Sequence, residues 1–279
     1  MSNISLKLGY KYLRSNRGGI FSFTSLLAVI GLMIGISSLI VVTSVMNGFE
    51  KELEDRILGV IPHSVISGDE PIEDFDNIIE IIKTNSNIED ASPYINIQGL
   101  ITSSKETRGI SIIGIDEKIE QNLSIIPKYM LLGQIENLKK DNSIIIGSLL
   151  AANIGAYVGD EINVTTSDIK TSIIGSYPTS INLKIVGIYE LKTEIDGFLG
   201  LISHDTAQKL KQLDENQTIS IRLKTNNLFN ADQISQQILS ELNIPNLEYS
   251  SWKSTHGTLF EAIQFEKLLI SLWVIFQIV

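Results

Sequence analysis

Apolar residues crowd both ends of this chain and, in between, recur with the periods of short strands and helices. From Gly18 to Phe49 no residue is charged. About 20 apolar residues rising ~1.5 Å each cross the ~30 Å hydrocarbon core of a bilayer, so this run predicts a first transmembrane helix over 20–47. A second apolar run starts at Leu268 and continues to Val279. It has no polar face, which a surface helix would show, and it predicts the start of a second transmembrane helix over 267–279 in a truncated chain. Ahead of the first run, Ile4, Leu8 and Tyr12 recur at helical spacing, and Lys7, Lys11 and Arg14 recur on another face. That pattern predicts an amphipathic helix within 1–19, lying at the cytoplasmic headgroup layer.

The segment 48–266 alternates short strands and helices. Asp74–Thr84 carries Phe75, Ile78, Ile79 and Ile82 on one face, and Leu228–Leu242 carries Ile234, Ile238 and Leu242, so both predict helices. Gly147–Ile154 and His204–Leu213 predict shorter helices. Strands are expected at His63–Ser67, Ile95–Ser103, Gly109–Ile115, Ser143–Ile146, Asp160–Thr166, Ile181–Tyr189, Gly197–Ser203, Gln217–Lys224 and Leu247–Tyr249. In Gln217–Lys224 the alternation of Ile219, Ile221 and Leu223 is clean. The expected fold class is a membrane protein with transmembrane helices plus an α+β domain of two lobes. Lobe one joins 60–115 with 215–262, and a β-rich lobe, 116–214, is inserted in it.

Between two of these strands, Ser167 to Ser180 exceeds the ~4–6 residues of an ordinary connection. It carries Ile173, Ile174, Tyr177 and Pro178. It is either an exposed partner-binding loop or a long β-hairpin whose apolar tip packs on its own domain.

Charge fixes the orientation. The 279 residues carry a net charge of −10, and all 32 acidic residues lie at or beyond Glu50, while Lys7, Lys11, Arg14 and Arg17 precede the first apolar run. The basic flank places the N-terminus in the cytoplasm and the folded mass outside. A cleaved signal fits poorly, because its apolar region runs only ~7–15 residues and Val45-Met46-Asn47 is no cleavage site. The acidic outer segment argues against nucleic acid or an anionic membrane surface as a ligand. Gly31 and Gly35 form a small-xxx-small pair suited to close helix packing.

The sequence offers no catalytic constellation. There is no cysteine, and His63, His204 and His256 are far apart without an H-E-x-x-H arrangement. A G-x-S-x-G elbow and a phosphate-binding G-x-x-x-x-G-K-[ST] loop are absent. No catalytic residue, metal site or cofactor is expected, and any energy input must come from a partner chain.

The segment I-V-V-T-S-V-M-N-G-F-E-K-E-L-E-D-R-I-L-G-V-I-P-H, Ile40 to His63, resembles the exit of the first span in the LolC/LolE family, permease subunits of the lipoprotein-releasing ABC transporter. Leu8–Arg14, Val158–Val164 (V-G-D-E-I-N-V) and Glu194–Phe198 (E-I-D-G-F) are similar to that family in the same order. The resemblance implies a multi-pass subunit of the bacterial inner membrane with a MacB-like periplasmic domain. It implies four kinds of partner: a cytoplasmic LolD-like ATPase, a second permease subunit (LolE-like or a second copy), a periplasmic LolA-like chaperone, and lipoproteins. It also implies that Val42, Val45, Met46 and Phe49 line a cavity for lipoprotein acyl chains, with lipid or a neighbouring helix as the other surroundings open to them. The loop at 167–180 sits where the family's chaperone-binding hook belongs, which nominates Ile173, Ile174, Gly175, Tyr177 and Pro178. A MacB/FtsX-type efflux or division permease, a two-span sensor and a membrane-tethered hydrolase are the competing expectations.

Overall fold

The computed structural model describes Lys7, Lys11, residues 19–103, 105–172 and 175–254, and beyond these 257–258, 261–262, 265–266 and 268–270. It divides into one unit of Met1–Glu52 with Ile263–Val279 and a second of Leu53–Ala262.

In the first unit, helix α1 runs from Gly19 to Leu53. Its Ser25–Gly48 portion is, among the described residues, the one stretch long and apolar enough to cross a membrane, and none of it is buried. Within it the Thr43 hydroxyl donates to the Leu39 carbonyl one turn back, so this polar group needs no outside partner. The helix continues beyond the apolar stretch. Glu50, Lys51, Glu52 and Leu53 are all good helix formers, so the backbone continues through them into a π-helical turn at Glu54–Leu58. Lys7 and Lys11 are helical and exposed, and the rest of the expected amphipathic helix lies outside the described residues. Phe265, Leu268 and Leu269 are exposed. The expected second span from residue 271 onward lies outside the described residues.

The second unit is built on ten strands: β1 Ser64–Glu73, β2 Ile88–Thr102, β3 Thr107–Ile115, β4 Met130–Leu132, β5 Ser143–Gly147, β6 Glu161–Ser172, β7 Gly175–Tyr189, β8 Leu199–Ser203, β9 Gln217–Thr225 and β10 Leu247–Ser251. Its helices are α2 Phe75–Lys83, α3 Glu120–Leu123, α4 Ser148–Ile154, α5 His204–Lys211 and α6 Ala231–Leu242. The strand order is β10-β1-β9-β2-β3-β8-β5-β7-β4, with β6 beside β2 and β7.

Strand β2 joins what the sequence suggests are two lobes. Its first half pairs with β9, up to Tyr94 opposite Ser220, and its second half pairs with β3, from Ile95 opposite Gly114. The changeover of ladder partner therefore falls at Tyr94–Ile95, inside one strand. The segment before Ile95 reads as a loop because it holds Asp90, Ser92 and Pro93. In the fold Pro93 takes a strand position opposite Ile221. The Asp90 carboxylate accepts the Ala91 N–H at 2.9 Å and pairs with Lys83 at 2.7 Å, so a turn-forming side chain is occupied within the sheet layer.

Alternation gives the sheet two unlike faces. On one face, Ile66, Ala91, Ile221 and Leu223 pack under α2 and α6, against Phe75, Ile79, Ile82, Ile234 and Ile238. These are the residues whose helical period predicts α2 and α6. On the same side α5 lies close to β3, since a Cβ added to Gly114 would fall 2.4 Å from the Ala207 Cβ. The opposite face carries a second cluster around Tyr94, Ile113, Leu199 and Leu201. It also carries an opening.

Candidate functional site

Three places are candidates for function: the outer end of α1, the β6–β7 hairpin and the opening on the sheet. On α1, Val42, Val45, Met46 and Phe49 fall at i, i+3, i+4 and i+7 of an unbroken helix, which puts them on one face. Val42 and Val45 are 44% and 64% exposed, and Met46 is half-buried. The side chain of Phe49 lies outside the described residues. Gly35 precedes Val42 by two turns and shares this stripe. A Cβ at Gly31 or Gly35 would meet nothing within 4 Å, so the described residues supply no helix against the pair.

The segment 167–180 is mostly strand rather than loop. β6 and β7 pair from Glu161 opposite Lys184 outward to Ser172 opposite Gly175, with a register shift between Thr165 and Ile169. β6 pairs with β2 only over Asn163–Thr166, and β7 pairs with β5 only over Lys184–Tyr189. The stretch from Ile169 to Pro178 is therefore a ribbon whose ladder partners, among the described residues, lie within the ribbon. Thr, Ile and Tyr suit a strand, and the extra residues at the shift add local twist. Pro178 is exposed near its base. Ile173 and Ile174, and the side chain of Tyr177, lie outside the described residues, and the burial of Gly175 is likewise not described.

The opening is a cavity of about 450 Å³ on the face of the sheet opposite α2 and α6. Its floor crosses six adjacent strands through Ser250, Val65, Ser220, Tyr94, Ile113 and Leu199, which the registers place on one side of the sheet. One wall is Ile57–Pro62, the segment that follows α1. Another is the 194–198 turn. Trp252 closes the end where the chain leaves the sheet, its indole N–H donating to the Leu228 carbonyl at 2.9 Å.

Three anchors hold these walls. His63 accepts the Thr225 N–H on Nδ1 at 3.1 Å, and its carbonyl accepts the Trp252 N–H at 3.1 Å, tying the entering and leaving segments together. Burial, with Lys224 nearby, lowers its pKa. The buried Asp196 carboxylate accepts the Leu191 N–H at 3.0 Å and the Lys192 N–H at 2.8 Å, which fixes the 194–198 turn. Gly147 passes so near that a Cβ there would lie 2.3 Å from the Asp196 carbonyl. Arg222 reaches from β9 to Glu120 and Ser92 beside the cavity floor. Tyr94, buried there, has its pKa pushed up to about 12 and stays neutral.

The model of the MacB-like periplasmic core domain family matches residues 25–240. The chain belongs to that family. Among curated relatives, the lipoprotein-releasing system transmembrane protein LolC of Neisseria meningitidis serogroup B is 30% identical over 274 residues, 97% of this chain and 66% of its own length. LolC of Xylella fastidiosa strain 9a5c is 28% identical over 273 residues, 96% of this chain and 65% of its own. LolE of Haemophilus influenzae is 25% identical over 269 residues, covering 94% and 64%. The chain thus spans a little under two thirds of the length of these relatives.

The family resemblance nominates the α1 stripe, loop length and the resemblance together nominate the hairpin segment, and neither points to the cavity. Of the three histidines, His63 serves the cavity wall, and His204 sits apart on α5, its ring edge-on to Phe75 with centroids 5.4 Å apart. His256 lies outside the described residues. The available signal for the cavity was E-I-D-G-F at 194–198. It follows the family order, and its Asp is spent on backbone N–H groups rather than on chemistry.

Proposed function

We propose that this protein is the permease subunit of an ABC transporter that extracts lipoproteins from the bacterial inner membrane and passes them to a periplasmic chaperone. The observation that carries this reading is the 25–30% identity to LolC and LolE relatives over 94–97% of the chain. The apolar α1 stretch and the basic residues before it support a cytoplasmic N-terminus and a periplasmic outer domain. ATP hydrolysis belongs to a separate LolD-like chain, and a second permease subunit, LolE-like or identical, completes the assembly.

The energetics define the task. Exposing one acyl chain of ~16 carbons to water costs ~13 kcal/mol at ~0.8 kcal/mol per methylene. A continuous apolar route from membrane to chaperone avoids that cost. Val42, Val45, Met46 and Phe49 form the entry, where an unbranched thioether such as Met46 adapts to varied chains. The β6–β7 ribbon is the chaperone hook, with Ile173, Ile174, Gly175, Tyr177 and Pro178 as its nominated contact residues, which makes the role LolC-like. The outer domain relays the cytoplasmic stroke as a packed body.

Purification of the full-length protein from membranes tests the reading. Co-purification of an ABC ATPase, together with capture of a periplasmic lipoprotein chaperone, is expected. An ATPase-bound complex that exports a soluble substrate and captures neither lipoprotein nor chaperone would favour a MacB/FtsX-type permease instead.

A further inference from the structure

We infer that the cavity on the face of the sheet opposite α2 and α6 is a binding site for a small uncharged amphiphile, an apolar body carrying one hydrogen-bonding group such as a hydroxyl. The inference rests on the cavity alone and does not depend on the lipoprotein-releasing reading.

The first observation is a row of hydroxyls. Ser67 on β1 and Tyr94 on β2 both stand opposite Ser220 of β9, so three hydroxyl-bearing residues cross the floor in register on three adjacent strands. All three line the cavity. The Ser220 hydroxyl is engaged with the Tyr94 carbonyl at 2.7 Å. The hydroxyls of Ser67 and Tyr94 have no hydrogen-bond partner among the described residues. Tyr94 is 8% exposed, yet its hydroxyl oxygen is not among the atoms sealed from solvent, so it opens on the cavity. A hydroxyl held there without a partner is costly, and a bound polar group relieves that cost. Burial keeps the phenol neutral, so it offers both a donor and an acceptor.

Around this row the lining is apolar. Val65, Ile113 and Leu199 continue the floor, Ile57 and Val60 form a wall, and Trp252 closes one end. A ligand with an apolar body covers these side chains while its one polar group meets the row. A pure hydrocarbon leaves the Tyr94 hydroxyl dry and unpaired. A many-hydroxyl ligand such as a sugar buries polar groups against isoleucine and leucine. An apolar pocket with a few convergent polar groups is the usual form of a small-molecule site, and the volume lies in that range.

Charge excludes ions. Among the described lining residues there is no Lys or Arg, so an anionic head finds no cation. An ammonium fares little better. The buried Glu120 carboxylate near Tyr94 is already closed on Arg222. The acid in the lining, Glu194, is exposed, where water screens any pair it makes.

Three probes built on one skeleton separate the head groups: para-(trifluoromethyl)benzyl alcohol, the corresponding benzylammonium and the corresponding benzoate. Each is titrated by fluorine NMR against the full chain in nanodiscs, with empty nanodiscs as the reference for partition into lipid. Saturable binding of the alcohol is expected, about tenfold or more tighter than of either ion. Tyr94→Phe deletes a hydroxyl that bonds to nothing in the protein, so the thermal midpoint should hold while affinity for the alcohol falls about three- to tenfold. Para-methylbenzotrifluoride, which lacks the head group, should bind parent and variant alike. Ser67→Leu fills the floor from a different strand and should abolish binding of every probe. If Tyr94→Phe misfolds, Ser67→Leu and the head-group comparison on the parent still decide. No saturable binding, or binding unchanged by Ser67→Leu, overturns the site. An ion that binds as tightly as the alcohol, or alcohol affinity unchanged in folded Tyr94→Phe, overturns the ligand class. Either failure leaves the transporter reading standing, because that reading rests on the relatives.

Discussion

Arg222 and Glu120 form a two-pronged ion pair sealed from water, with side chains 4% and 1% exposed. One guanidinium N–H donates to Glu120 Oε1 at 3.3 Å, a second donates to Oε2, and Nε donates to Ser92 Oγ at 2.7 Å. The pair links β9 and β2 to α3. Glu120→Ala strands a buried cation, which costs ~3–5 kcal/mol. The expected outcome is a large fall in the thermal midpoint of the outer domain, followed by circular dichroism in detergent. The double variant Glu120→Leu/Arg222→Met removes both charges and should recover most of the loss. Equal destabilisation by single and double variants would show that packing, not the charge, governs this site.

A buried histidine makes the fold sensitive to acid. His204 is 7% exposed, neither ring nitrogen has a partner, and burial pushes its pKa down to about 4, against a weaker upward pull from Asp205 and Asp116. Above its ordinary value of 6.5 both folded and unfolded forms are neutral there, and its contribution is fully present. Between 6.5 and about 4 the unfolded chain takes up a proton that the folded one refuses, so stability falls with pH, by about 3 kcal/mol at the lower end. Comparing denaturation midpoints at pH 7 and pH 4.5 for the parent and His204→Leu checks this. The variant should lose less on acidification and, with no unpaired ring nitrogens to bury, match the parent at pH 7.

Some of this architecture is legible in the sequence, and the reason lies in which side chains face a core. In α2 and α6 the isoleucines recur every three or four residues because a sheet covers one stripe of each helix. In β9, Ile219, Ile221 and Leu223 alternate, which predicts the strand. The residues between them, Ser220 and Arg222, look solvent-facing, yet they floor the cavity and close the ion pair. A polar residue whose hydrogen bonds end inside the protein leaves no trace in a hydropathy pattern. The first half of β2 hides behind Ser92-Pro93 for the same reason. The α1 residues Val42, Val45, Met46 and Phe49 come from the family resemblance, and the unbroken helix puts them on one side.

That stripe yields the next expectation. Met46 is half-buried in the middle of the four candidate residues, and a charge there is costly to any apolar ligand, while its place two residues from the end of the apolar stretch lets the charge reach the interface. Met46→Asp should abolish site-specific photocrosslinking of lipoprotein to this end of α1, while the protein inserts in the membrane and keeps its thermal midpoint. Undiminished crosslinking of lipoprotein to the variant removes Met46 from the entry path.

The ribbon is separable from the domain because its ladder is self-contained. Thr165 opposite Ser180 is the last pair before the register shift, and β2 contributes nothing beyond Thr166. Deleting Lys170–Thr179 shortens the hairpin without removing a rung of the ten-stranded sheet inside it. Capture of the periplasmic chaperone, read by co-purification, should be lost, while the ATPase activity of the assembled transporter remains. Pro178→Ala is the milder probe. Proline restricts the ribbon backbone and donates no hydrogen bond, so alanine there frees the strand to pair elsewhere and should weaken capture without abolishing it. Chaperone binding at full strength after the deletion would assign the hook to some other part of the protein, and with it the LolC-like role would go.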